Sequence, residues 1–192
     1  MDGHKIAILV SGTGTNAINI IEYFEKNSIA DVALVVSNKT DALAVEKAQN
    51  KGVKTIVFNN ESFKKNGIVL NYLKSESIDF IVLAGFLMKV PSDIIHAYPN
   101  KIVNLHPSLL PKYGGKGMYG NHVHRAVIEA QESESGISIH FVNEEYDEGA
   151  IIFQAKVSIE KKDSVEVLAQ KIRQLEHRFF PKIVEQVISK SL

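Results

Sequence analysis

Short apolar runs alternate with helix-period segments through residues 1–100. Lys5 to Ser11 is a run with the length of a buried strand. Ala17 to Lys26 places Ala17, Ile20, Ile21 and Phe24 on one helical face. Asp31 to Ser37 predicts a second strand and Asp41 to Asn50 a second helix, which Gly52 follows as a stop. Lys54 to Phe58 predicts a third strand, Ser62 to Lys74 a third helix, and Phe80 to Ala84 a fourth strand. Strands alternating with helices in this way predict a parallel sheet covered on both faces.

The second half continues with a short helix over Pro91 to Ala97 and a fifth strand over Lys101 to Leu105. A glycine-rich loop follows, then a helix over Tyr119 to Glu132. Ser135 to Val142 alternates, with Ile137, Ile139 and Phe141 on one face, and Ile151 to Ser158 predicts another strand. Between these two strands lies the acidic turn from Asn143 to Gly149. The chain ends in a helix opened by Asp163-Ser164-Val165-Glu166, a capping-box pattern. Pro181 is expected to kink or interrupt it. No repeat or low-complexity linker divides the chain, so 1–100 and 101–192 are expected to share one sheet within a single domain.

Composition narrows the function classes. Lysine plus arginine equals aspartate plus glutamate at 22 each, which argues against a nucleic-acid binder. With no cysteine, disulfides, thiolate catalysis and cysteine-ligated zinc are excluded. Ile6 to Val10 is too short for a signal segment or a membrane span, so a soluble cytoplasmic protein with no membrane partner is expected. The His122-x-His124 pair would need further ligands to hold a metal, and none is expected.

Two segments carry candidate chemistry. Ser11-Gly12-Thr13-Gly14-Thr15-Asn16-Ala17 joins the first strand to the first helix. Glycines admit an anion close to backbone N–H groups, and a helix N-terminus adds free donors and a favourable dipole. The dinucleotide fingerprint also wants an acidic residue ending the second strand, but Val36-Ser37-Asn38 has none. A phosphate of a smaller ligand is the reading, against a tight turn that binds nothing. Asn104 and His106 lie at the carboxyl end of the fifth strand and point to the same side. Pro107 turns the backbone away there. Ligands of open parallel sheets gather at that end. An amide can donate to a developing oxyanion and an imidazole can move a proton near neutral pH. Taken alone, the pair is also compatible with a structural role.

The run Asn104-Leu105-His106-Pro107-Ser108-Leu109-Leu110-Pro111 resembles the active-site motif of the folate-dependent formyltransferases. Ser11 to Asn16 is similar to that family's phosphate loop. Ser37-Asn38-Lys39, Leu83-Ala84-Gly85-Phe86, His140-Phe141-Val142, Asp147 and Gln154-Ala155-Lys156-Val157 follow in the family's order. The resemblance implies the formyltransferase fold: α/β, three layers, a mostly parallel twisted sheet and a Rossmann-like N-terminal half. It implies 10-formyltetrahydrofolate as donor, the amine of glycinamide ribonucleotide as acceptor in purine synthesis, no metal and no covalent intermediate. Asn104 would bind the oxyanion, His106 would assist it and shuttle the proton, and Asp147 would pair with His106. Such pairing is expected to raise the His106 pKa. Other formyl transfers, hydrolysis of the donor, a non-catalytic nucleotide-binding module and an NAD dehydrogenase are the alternatives; the last lacks its carboxylate.

The resemblance places the ribonucleotide's phosphate and ribose on Gly12, Thr13, Gly14, Thr15, Asn16, Arg173 and Glu176. Glu176 falls about 20° from Val165 around the terminal helix, inside its apolar stripe, so it needs a structural partner or a ligand hydroxyl. The family often has glutamine where this chain has Arg173. Phe86, Leu87, Met88, Lys89 and Val90 resemble the folate-binding stretch, with Asn104 also reaching the folate; core packing would equally explain Phe86, Leu87 and Val90. Gly114 to Gly120 is a flexible segment, either a lid or a surface loop. A monomer or homodimer is expected.

Overall fold

The computed structural model describes residues 3–65 and 67–190. Met1, Asp2, Asn66, Ser191 and Leu192 lie outside the described residues, and with them the first positions of the N-terminal segment and one position of the expected third helix. The N-terminal half runs β1 (His4–Val10), α1 (Thr15–Phe24), β2 (Ala30–Ser37), α2 (Leu43–Asn50), β3 (Lys54–Val57), α3 (Asn60–Lys64), α4 (Ile68–Ser75), β4 (Phe80–Leu83) and α5 (Ser92–Ala97). The C-terminal half adds β5 (Ile102–His106), α6 (Asn121–Glu129), β6 (Glu134–Phe141), β7 (Ile151–Ser158) and α7 (Val165–Ser189).

The strands form one seven-stranded sheet in the order β3-β2-β1-β4-β5-β6-β7. The first five are parallel; β6 and β7 join antiparallel. Ile6 through Val10 are fully buried because β1 is covered on both faces. Alternation divides the core accordingly. Ile6, Ile8 and Val10 pack with Ile20, Ala44, Val123 and Leu168 from α1, α2, α6 and α7. Ala7 and Leu9 pack with Phe63, Leu73 and Ile94 from α3, α4 and α5. The expected three-layer α/β architecture is present. Among the described residues no helix is long and apolar enough to cross a membrane.

Three local expectations are corrected. The single helix expected over Ser62 to Lys74 is two, because Gly67 has φ 87°, a left-handed conformation no α-helix contains. The Asp93 carboxylate accepts the Gly67 N–H at 2.6 Å and holds that break. Pro181 does not interrupt α7, which runs unbroken from Val165 to Ser189. A proline removes the bond to the carbonyl four residues back, here His177. Asn19 Nδ2 of α1 donates to that carbonyl at 3.0 Å, and buried Phe180, Ile183 and Val184 anchor the segment. At the start of α7, Ser164 rather than Asp163 is the cap: its hydroxyl accepts the Val167 N–H, while Asp163 pairs with Lys171.

Interstrand links align the loops at the carboxyl end of the sheet. Ser11, after β1, donates its N–H to the Gly85 carbonyl. Its hydroxyl donates to Asn38 Oδ1 at 2.6 Å and accepts the Leu87 N–H at 2.9 Å. Gly14 caps α1 with φ 74° and packs directly on α2; a Cβ there would lie 2.5 Å from Ala44 Cβ. Gly14→Ala is therefore expected to destabilise the fold by about 2–3 kcal/mol, through overpacking and a strained backbone. Urea denaturation measures it, and an unchanged midpoint would show that α2 can yield without cost.

Candidate active site

β5 delivers Asn104 and His106 to one side of the sheet, with Pro107 ending the strand. The register with β6 sets His140 directly across from Asn104. His140 Nδ1 lies 2.8 Å from the Phe141 carbonyl, which can only accept, so the neutral ring carries its proton on Nδ1. Its Nε2 then accepts from Asn104 Nδ2 at 3.0 Å. That contact orients the Asn104 amide and leaves its second N–H facing Asp147 Oδ1 at a loose 3.4 Å.

His106 is anchored from its other side. Nε2–H donates to the Tyr113 carbonyl at 2.7 Å, and Nδ1 faces Asp147 Oδ2 at 3.4 Å. Asp147 sits in the turn between β6 and β7 with φ 57°, and it accepts the Gly115 N–H at 2.9 Å. The expected rise in the His106 pKa is corrected: burial outweighs the pull of Asp147 and the Tyr113 carbonyl, and the net direction is down from 6.5. Burial pushes Asp147 up, but His140, His106 and the Gly115 N–H outweigh it, so its pKa falls below the usual 3.8. Near neutral pH the pair is a neutral imidazole beside a carboxylate, with the Nδ1 lone pair open to a proton.

These side chains floor a cleft of about 550 Å³. One end is built from Thr15 and Asn16 at the start of α1 and Arg173 and Glu176 of α7. Asn16 Nδ2 donates to Glu176 Oε2 at 2.9 Å, which meets the need of a carboxylate within an apolar stripe. Burial pushes the Glu176 carboxyl up, against the Asn16 bond and the Arg173 charge. Gly12, Thr13 and Gly14 stand outside the cleft lining: the Gly12 carbonyl accepts the Ala44 N–H, and the Thr13 carbonyl accepts from Lys47 Nζ. They shape the loop against α2, while Thr15 and Asn16 present it to the cleft.

Phe86, Leu87, Met88, Lys89 and Val90 also line the cleft. Phe86 and Val90 are also buried in the core, while Leu87 is 45% exposed. Gly115 to Gly120 borders the cleft opening, next to Tyr146. His140 is a site residue that sequence reasoning left without a role. Its signal was a polar residue on the buried face opposite Ile137, Ile139 and Phe141, but only the register shows what it meets. Among the described residues no group of three or more histidine, aspartate or glutamate side chains could hold a metal.

The formyl transferase family model matches residues 4–184. The chain belongs to the formyl transferase family. Within it, a chloroplastic phosphoribosylglycinamide formyltransferase of Arabidopsis thaliana is 39% identical over 186 residues, 94% of this chain and 64% of the plant protein. The chain thus spans less than two thirds of that relative. The phosphoribosylglycinamide formyltransferase of Haemophilus influenzae is also 39% identical, across 94% of this chain and 85% of its own length. The crystal structure of phosphoribosylglycinamide formyltransferase from Bacillus halodurans is 36% identical and superposes with a TM-score of 0.87, covering 98% of this chain and 97% of that one.

An NMR titration of the histidine rings tests the electrostatics. His106 is expected to titrate below 6.5, the value for an ordinary imidazole. Asp147→Asn removes a charge that favours imidazolium, so the midpoint should fall further. A midpoint above the ordinary value, or an upward move in the variant, contradicts the balance of burial and charge.

Proposed function

We propose that this chain transfers the formyl group of 10-formyltetrahydrofolate to the amine of glycinamide ribonucleotide, a step of purine synthesis. The observation that carries the reading is the cluster of Asn104, His106 and Asp147 at the floor of the cleft, in a chain similar along its length to phosphoribosylglycinamide formyltransferases. The cleft lining includes polar and charged groups at Asn16, Arg173 and Glu176 and the mostly apolar stretch Phe86 to Val90. That lining suits a phosphorylated amine and a pteridine.

In the reaction the amine nitrogen attacks the formyl carbon and the carbonyl electron pair moves to oxygen. The Asn104 N–H that faces Asp147 only loosely turns to the oxyanion, a stronger acceptor, while His140 keeps the amide in place. His106 Nδ1, neutral at rest, takes the proton that the attacking amine sheds. Asp147 stabilises the imidazolium that results. The proton then passes to the folate N10 as the bond between formyl carbon and N10 breaks. The amine has lost one proton and the folate nitrogen has gained one, and no step requires a metal ion or a covalent link to the protein.

Binding roles follow from position. Free N–H groups in the first turn of α1, with Thr15, Asn16 and Arg173, take the phosphate. Glu176, held by Asn16, accepts from a ribose hydroxyl. Residues Phe86 to Val90 receive the folate ring through their side chains and remaining backbone groups; the Leu87 N–H is already bonded to Ser11.

The direct test mixes the protein with both substrates and follows folate release by absorbance. Release that depends on the ribonucleotide supports transfer; release without it indicates hydrolysis, and none under either condition sinks the enzyme reading. Alanine variants at Asn104, His106 and Asp147 should fold and lose about 10²–10⁴ in kcat. Near-normal kcat in any one removes that residue from the chemical step. Glu176→Gln should raise KM for the ribonucleotide while leaving folate KM near its normal value.

A further inference from the structure

α6 carries two histidines with different surroundings. His122 is exposed, whereas His124 is only 5% exposed, buried alongside Val123 and Val127, and borders the cleft. Its Nδ1 is sealed from solvent and has no hydrogen-bond partner among the described residues. A buried ring nitrogen of this kind carries an uncompensated desolvation penalty. An orphaned acceptor is tolerated better than an orphaned N–H, so the lone pair belongs on Nδ1 and the proton on Nε2. Nε2 is not sealed as Nδ1 is and has no hydrogen bond among the described residues, which leaves its N–H as a free donor on a residue that lines the cleft.

The position of the ring gives that donor a use. Burial first, then the charges of Arg173 and His106, push the His124 pKa below its usual value. His124 lines the same cleft as Arg173 and the reaction-centre residue His106. Between them a neutral N–H donor suits an uncharged acceptor oxygen, and a packing role alone would be served better by an apolar side chain.

We propose that His124 is a substrate-contacting residue, donating its Nε2–H to an uncharged oxygen of the amine substrate between the anionic end at Arg173 and the amine at His106. The assignment rests on the formyl-transfer reading for the identity of that substrate. It makes α6 the fourth element to touch the ribonucleotide, after α1, α7 and β5, and it gives the Nε2–H an acceptor when substrate is bound.

Steady-state kinetics with both substrates varied tests it. His124→Leu removes the donor and should raise KM for glycinamide ribonucleotide about fivefold to tenfold, the effect of one neutral hydrogen bond. KM for the folate should move less than twofold. His124→Gln, which keeps an N–H donor near the Nε2 position, should raise the ribonucleotide KM less than threefold. An unchanged ribonucleotide KM in His124→Leu, or an equal rise for both substrates, overturns the contact. A second measurement needs no variant: in wild-type protein labelled with ¹⁵N-histidine, saturating ribonucleotide without folate should shift the His124 Nε2 resonance. An unmoved resonance overturns the assignment even if His124→Leu fails to fold. A wild type that shows this shift yet transfers no formyl group keeps the contact and sinks the formyl-transfer reading instead.

Discussion

The Asp147 carboxylate is the junction on which the centre of the cleft depends. Its Oδ2 accepts the Gly115 N–H and faces His106 Nδ1, while Oδ1 faces Asn104 Nδ2 and His140 Nε2. Those four partners come from the loop after β5, from β5 itself and from β6. The Gly115 and Asn104 N–H groups donate to it, which offsets part of the desolvation penalty that a buried carboxylate carries. Its backbone adopts a left-handed φ of 57°, uncommon for a residue with a side chain, and the surrounding contacts hold it there. The turn between β6 and β7, the glycine-rich loop and the end of β5 are thereby fixed to one point.

That junction also explains why two carboxylates in one cleft behave differently. Asp147 lies among N–H donors and histidine rings, and its pKa falls below the ordinary value despite burial. Glu176 is buried against α1 with one amide donor, and burial raises its pKa. Environment thus separates a group suited to stabilising an imidazolium from one suited to reading a hydroxyl. His106 occupies the space between burial and Asp147, and burial prevails, so it rests as a base. A charge argument drawn from proximity alone has the opposite sign, because it omits the desolvation of the ring.

Much of the fold was legible along the chain because parallel strands buried on both faces are continuous apolar runs. Ile6 to Val10, Val32 to Val36 and Phe80 to Leu83 are such runs. The misread elements were those whose boundary lies in another part of the chain. The break at Gly67 is held by Asp93, and the His177 carbonyl that Pro181 leaves unpaired in α7 accepts from Asn19. Neither partner is near in sequence. His140 shows the same limit within the site: its position opposite Asn104 is a consequence of β6 register, which no local pattern in 134–141 states.

The sequence by itself determined the order of strands and helices, the turn after β1, and the placement of Asn104 and His106 on one side of a strand end, because periodicity and strand geometry are local properties. It also carried the resemblance to the formyl transferases. Only the tertiary structure decided that His140 meets Asn104, that Thr15 and Asn16 rather than Gly12 to Gly14 line the cleft, and that His124 lines it. Those outcomes depend on which segments pack together and how much water they exclude, and both are set by residues far apart in the chain.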